Sequence, residues 1–296
     1  MPPAVLTFAF DPLLRIGDSA SVRIEVIVLE VVFLAGIALA VRIGHQTPTV
    51  GPYVPAPGLA ASDLMFILVG SVPGAIVGGR LGYVVDHLDF YRANPNLIVD
   101  PTQGGFGLTL AVPFGILTGG IIAWLIGAPV ARWMHAVAYP LLFVLATGKL
   151  AGLFGASGQG LPSDLPWATA YVGPGPWDSL AADVPSHPAA AYEAILVVVA
   201  IGGLVLAQRL EVVARRDGAA LFVAVGLWGL ARFAVAFTWR DDVILGPLRV
   251  DQALALLVVG LAAVGFVERW RAPLQAVSRV EPEPEPEREP EPEPAE

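Results

Sequence analysis

The stretch VRIEVIVLEVVFLAGIALAVRI (residues 22–43) carries Arg23, Glu25 and Glu30 near its start and then no charge until Arg42. A helix of about 20 apolar residues, rising about 1.5 Å per residue, crosses a hydrocarbon core of about 30 Å. In lipid a backbone N–H or C=O without a partner is costly, so a run of this kind must be helical. Comparable runs recur at about 61–85, 108–127, 133–155, 188–208, 219–238 and 250–268. The chain is 55% hydrophobic and 15% charged, with mean hydropathy +0.68, whereas soluble domains carry roughly a quarter charged residues. The expected fold is an all-α polytopic membrane protein with seven transmembrane helices.

Charge in the connections orients the spans. The loops after spans one, three, five and seven hold Arg42, Arg132, Arg209, Arg215, Arg216, Arg269, Arg271 and Arg279. The opposite side holds Arg15, Arg92, Arg240 and Arg249, with Arg23 at its boundary. The positive-inside bias then predicts an N-terminus outside and a C-terminus in the cytoplasm. Residues 1–272 form the expected transmembrane domain, with 156–187 as an ordered outer lid. That loop contains Asp164, Asp178 and Asp183 but no Lys or Arg, and the Pro-, Gly- and Trp-rich run PWATAYVGPGPW. Residues 273–296 read as a disordered cytoplasmic tail. EPEPEPEREPEPEPAE (281–296) has eight Glu and one Arg, so it supplies −7 of the net charge of −9, and repelling glutamates spaced by proline cannot build a core. The chain has no cysteine, which excludes disulfides, thiol catalysis and cysteine metal sites. Residues 1–15 lack the basic segment and apolar core of a cleavable leader.

Ionisable groups inside spans are costly and point to function. In this topology they gather at one end. Arg80 lies near the outer end of span two, and Lys149, the only lysine in the chain, about six residues before that of span four. His187, Tyr192 and Glu193 open span five, Arg232 sits late in span six, and Asp251 and Gln252 begin span seven. The inner halves are almost purely apolar. The pattern predicts a cavity open to the outer face, with Arg80, Lys149 and Arg232 as cations for an anionic head group. His187 is the proton-transfer candidate, and Glu193 pairs a cation or orients the histidine. A polar path through the membrane is missing, which argues against a transporter. The pairs Gly78–Gly79, Gly119–Gly120 and Gly202–Gly203 suit close helix packing.

Several segments resemble the bacterial prolipoprotein diacylglyceryl transferase family: GAIVGGRLGYVV (74–85), SHPAAAYE (186–193), GLARF (229–233) and DPTQGGFGL (100–108). The early FDP (10–12) and Gln252 also fit, and order and spacing agree over about residues 8–270. The resemblance implies transfer of a diacylglyceryl group from phosphatidylglycerol to the cysteine thiol of exported prolipoproteins. Glycerol phosphate would leave, and the site would face outward from a bacterial plasma membrane. It implies His187, Arg232 and Lys149 as catalytic residues and Arg80, Tyr192, Glu193 and Gln252 as substrate-binding ones. The implied partners are phosphatidylglycerol, the prolipoprotein signal peptide with its lipobox cysteine, and membrane lipids. No cofactor, metal or nucleic acid is expected. In GKLAGLFGASGQG (148–160) Lys149 stands where the family has arginine, Gly152 and Gly155 or Ala156 fill the region of its asparagines, and Ser157 or Gln159 sits near its glutamate. Thr109 stands at a histidine position, Trp228 at a tyrosine and Ala236 at a glutamate, and no role carries over to Thr109. A second reading, from another class, is a catalytically silent binder of anionic lipid or lipoprotein precursors.

Overall fold

Each apolar run becomes a helix because the spans have no other way to pair their backbone. The computed structural model describes residues 5–17, 20–49, 57–100, 104–213, 217–241 and 243–271. The expected tail, Arg215, Arg216, Arg279 and residues 101–103 of DPTQGGFGL therefore lie outside the described residues. The helices are α1 (Ile24–Gln46), α2 (Ala61–Asp86), α3 (Leu88–Ala93), α4 (Leu108–Leu125), α5 (Val130–Ala136), α6 (Ala138–Ala151), α7 (Ala189–Arg209), α8 (Ala219–Val235) and α9 (Val250–Arg271). Six are long and apolar enough to cross a membrane, and α5 with α6 makes the seventh as a bent pair.

The expected fourth span, 133–155, is thus corrected from one helix to two pieces meeting at 41°. Pro140 lies within the first turn of α6. It has no N–H to offer the carbonyl of Ala136, so the ladder loses a rung where the axis turns.

Close packing of α2 on α4 follows from glycine at four-residue spacing. A methyl built on Gly74 would lie 2.4 Å from the Phe114 carbonyl oxygen, and one on Gly78 would lie 2.4 Å from that of Leu110. Only backbone lacking a side chain comes this near. The other pairs are less uniform, since added methyls on Gly120 and Gly202 would meet nothing within 4 Å.

The buried centre of the second half is Trp228 on α8, packed among Leu142 of α6, Val197 of α7 and Val258 of α9. Between α1, α2, α4 and the bent pair lies an apolar cavity of about 390 Å³, lined by Ile37, Leu68, Leu108, Ile116, Val144 and Leu145, among others.

Short strands cover the end of the bundle where α1 begins. β1 (Leu6–Ala9) pairs in parallel with β4 (Thr169–Val172), Leu6 opposite Thr169. The hairpin β2 (Leu13–Ile16)/β3 (Ala20–Arg23) runs into α1, and β5 (Val243–Leu245)/β6 (Leu248–Arg249) runs into α9. Residues 156–187 are ordered around Gln159. Its buried amide nitrogen reaches the carbonyls of Thr169, Ala182 and Val184 at 3.0, 3.2 and 3.1 Å, and its oxygen accepts from Ser179 at 2.5 Å. Arg240 donates from Nε to the Gly160 carbonyl at 2.6 Å and from Nη2 to Ser186 Oγ at 2.9 Å.

Candidate functional site

At this strand-covered end, five spans place one polar side chain each near a common point. Thr109 comes from the first turn of α4, Lys149 from the last turn of α6, Glu193 from the start of α7, Arg232 from the last turn of α8 and Asp251 from the start of α9. The helix faces around them are largely apolar, so these groups turn to one another.

Glu193 is the hub and has no exposed surface. Arg232 donates from Nη1 to both its carboxylate oxygens at 3.1 Å. The ammonium of Lys149 stands 3.0 Å from Oε2, so one carboxylate faces two cations. Asp251 is the second acid: its Oδ2 lies 3.0 Å from Arg232 Nε, and its Oδ1 accepts from Nη2 at 3.4 Å. The Thr109 hydroxyl accepts from Arg232 Nε at 2.5 Å and donates to Asp251 Oδ1. Lys149 also stands 5.1 Å from the centroid of the Trp239 ring, within cation–π range.

The sum of charge is zero: two cations against two carboxylates. A buried group of this kind is stable only while its members are paired, and deleting one leaves an uncompensated charge worth about 3–5 kcal/mol. The two cations are not fully sealed, with Lys149 and Arg232 side chains 18% and 10% exposed. Among the described residues, Glu193 is the one acid paired with Lys149, so its ammonium keeps N–H donors for an arriving anion. At the rim, Asp241 has its carboxyl pushed upward by burial and by the neighbouring Asp251 charge; Arg232, Arg249 and His87 oppose this.

The expected site residues separate into two sets. Lys149, Glu193 and Arg232 are brought into direct contact. Arg80 stands apart, donating to the carbonyls of Leu97 and Ile98 at 2.7 Å each and to that of Gly104. It lies over Tyr83 and Tyr91, so its fork holds the connection between α2 and α4. Gln252 is fully buried and spends its amide on the Phe233 carbonyl at 3.2 Å and the Arg249 N–H at 2.9 Å. His187 faces Tyr192, with Nδ1 3.4 Å from the phenol oxygen, and Trp167 donates to that oxygen at 2.6 Å. Among the described residues, no three His, Cys, Asp or Glu side chains are placed to hold a metal.

Thr109, to which the sequence assigns no role, ties the arginine to the second acid. Asp251, in the sequence only one more polar residue at this end, is that acid. A usable signal was the charge count, since two cations buried with Glu193 alone would leave one uncompensated.

The geometry defines a multi-spanning membrane protein with a charge-neutral, anion-competent cluster buried at one end of its bundle. The sequence matches the prolipoprotein diacylglyceryl transferase family over residues 19–268, and the chain belongs to that family. Among its relatives is the phosphatidylglycerol–prolipoprotein diacylglyceryl transferase of Ruegeria pomeroyi, 31% identical over 221 residues, covering 71% of this chain and 73% of that protein. The Geobacter sulfurreducens protein of the same name is 30% identical, covering 71% and 80%. That of Paraburkholderia xenovorans is 30% identical over 309 residues, covering 91% and 97%.

Proposed function

We propose that the protein transfers the diacylglyceryl group of phosphatidylglycerol to the cysteine thiol of prolipoproteins, at the outer face of a bacterial plasma membrane. The observation that carries this reading is the Lys149–Glu193–Arg232 contact set at the end of an apolar bundle. Leu108 and Leu145, which line the apolar cavity, lie next to Thr109 and one turn before Lys149. A lipid whose phosphate reaches the cations would therefore have apolar space for its chains beside it. The relatives named above carry the same activity in their names.

In the reaction a C–S bond forms between the substrate's sulfur and the terminal glyceryl carbon of the lipid. The C–O bond to phosphate breaks, and its electron pair leaves with glycerol phosphate. Lys149 and Arg232 stabilise the charge that grows on the departing phosphate, where a dry, fixed cation is most effective. His187, in contact with Tyr192, takes the thiol proton, because the thiolate is the nucleophile. Residues 156–187 serve as the lid under which the signal peptide's cysteine enters.

Complementation tests the reading. A host depleted of its own transferase and expressing this chain should accumulate lipidated prolipoprotein. Unmodified precursor despite good membrane expression would sink it.

A further inference from the structure

Arg232 already faces two carboxylates, so a phosphate that takes its Nη2 edge competes with the one there. We infer that Asp251 is the carboxylate that yields: a resident anion occupying the Arg232 edge when the site is empty and returning when phosphate leaves. This inference rests on the proposed function for the identity of the anion.

The two acids are held very differently. Glu193 is gripped by both cations and both of its oxygens accept from Arg232. Asp251 has Arg232 as its one cationic partner in the ion pairs of the described residues. Its Oδ2, although 3.0 Å from Nε, makes no hydrogen bond of acceptable angle and is fully buried. Its Oδ1 reaches Nη2 only at 3.4 Å. The Nε hydrogen goes to Thr109 Oγ1 instead. Asp251 is therefore retained by one cation and by the Thr109 hydroxyl, while Glu193 is retained by both cations and accepts from Arg232 with both of its oxygens. A phosphodiester brings one negative charge, which would leave the cluster at −1 with both acids in place and neutral with Asp251 turned away. Asp251 is accordingly a positioning residue that competes with phosphate; it does not touch the reacting carbon or sulfur.

Such a competitor weakens phosphate binding and speeds its release. Asp251→Asn should thus bind glycerol phosphate about tenfold tighter in detergent-solubilised full-length protein, read by titration calorimetry. In turnover the same variant should lower KM for phosphatidylglycerol and lower kcat with it, with product inhibition strengthened. Asp251→Glu should return both toward the parent values. Damage to the fold alone would raise KM or lose protein and would not tighten an anion. Should Asp251→Asn fail to fold, Asp251→Ser, which places a neutral hydroxyl beside Arg232, must shift glycerol phosphate affinity in the same direction. Unchanged or weaker affinity in the folded variant overturns the inference. The calorimetry needs no turnover, so a chain without transferase activity would refute the proposed function while this test still stands.

Discussion

The ammonium of Lys149 and the guanidinium of Arg232 meet at a single carboxylate oxygen, Glu193 Oε2, at 3.0 and 3.1 Å. They come from α6 and α8, helices that reach this end of the bundle from the same direction. The acid on α7 is what allows two like charges to stand close together in an apolar setting.

Removing that acid should therefore be felt first as stability. Glu193→Gln leaves two buried cations with one remaining acid and should cost about 3–5 kcal/mol. The check is the melting temperature of purified protein in detergent. A variant as stable as the parent would show that water reaches the cluster and screens it.

Lys149 carries the charge balance as well as the chemistry. Lys149→Met leaves Arg232 alone against two acids and should cost about 3–5 kcal/mol, and the protein that folds should lose about 10²-fold or more in transfer rate, the scale of a lost electrostatic donor. Lys149→Arg keeps the charge and should hold the rate within about tenfold. Loss of expression in Lys149→Arg, with activity intact in Lys149→Met, would reverse the assignment.

Arg80 holds three carbonyls of one connection with a planar fork that lysine cannot reproduce. Arg80→Lys should raise protease sensitivity between α3 and α4 while Lys149 and Arg232 variants leave it unchanged. Limited proteolysis with mass mapping distinguishes these outcomes. A protected connection with weakened lipid binding would make Arg80 a head-group ligand.

Orientation can be read directly because the chain has no cysteine of its own. A cysteine placed at Ser163, between Lys149 and Glu193, should react with a membrane-impermeant maleimide on intact spheroplasts. One placed at Gln208, at the far end of α7, should react only after lysis. The opposite pattern would invert the proposed topology.

Tyr171 gives an alkaline signature. It lies in β4 at the strand-covered end, and burial pushes its phenol up to about 12 from the usual 10. The folded state thus favours the neutral phenol. This contribution is complete below about pH 10 and is lost as pH rises through about pH 12. Tyr171→Phe should flatten that loss in thermal melts recorded from about pH 9 upward, and an equally steep loss in the variant would place its cause elsewhere.

The spans were legible because hydropathy reports the demand of lipid on the backbone, and this demand is the same for every residue of a run. The break at Val137 was not, because its cause, Pro140, lies in a first turn where proline is also compatible with an unbroken helix. Lys149, Glu193 and Arg232 could be found from charge alone. Thr109 could not: a hydroxyl in a span normally returns to its own helix, as Thr147 does to the Phe143 carbonyl at 2.7 Å. Its role depends on Asp251, 142 residues away. The strands were also hidden, since four-residue segments such as β1 take their meaning only from the partner that completes them.

That pairing has a consequence for how the molecule is made. Leu6 sits beside Thr169, so β1 waits for 163 further residues before its partner exists. At about 5–20 residues per second this delay is on the order of ten seconds. β1 thus waits unpaired through the synthesis of α1 to α6, and α7, α8 and α9 still follow its partner. Removing β1 would leave β4 without its neighbour in the strand cover.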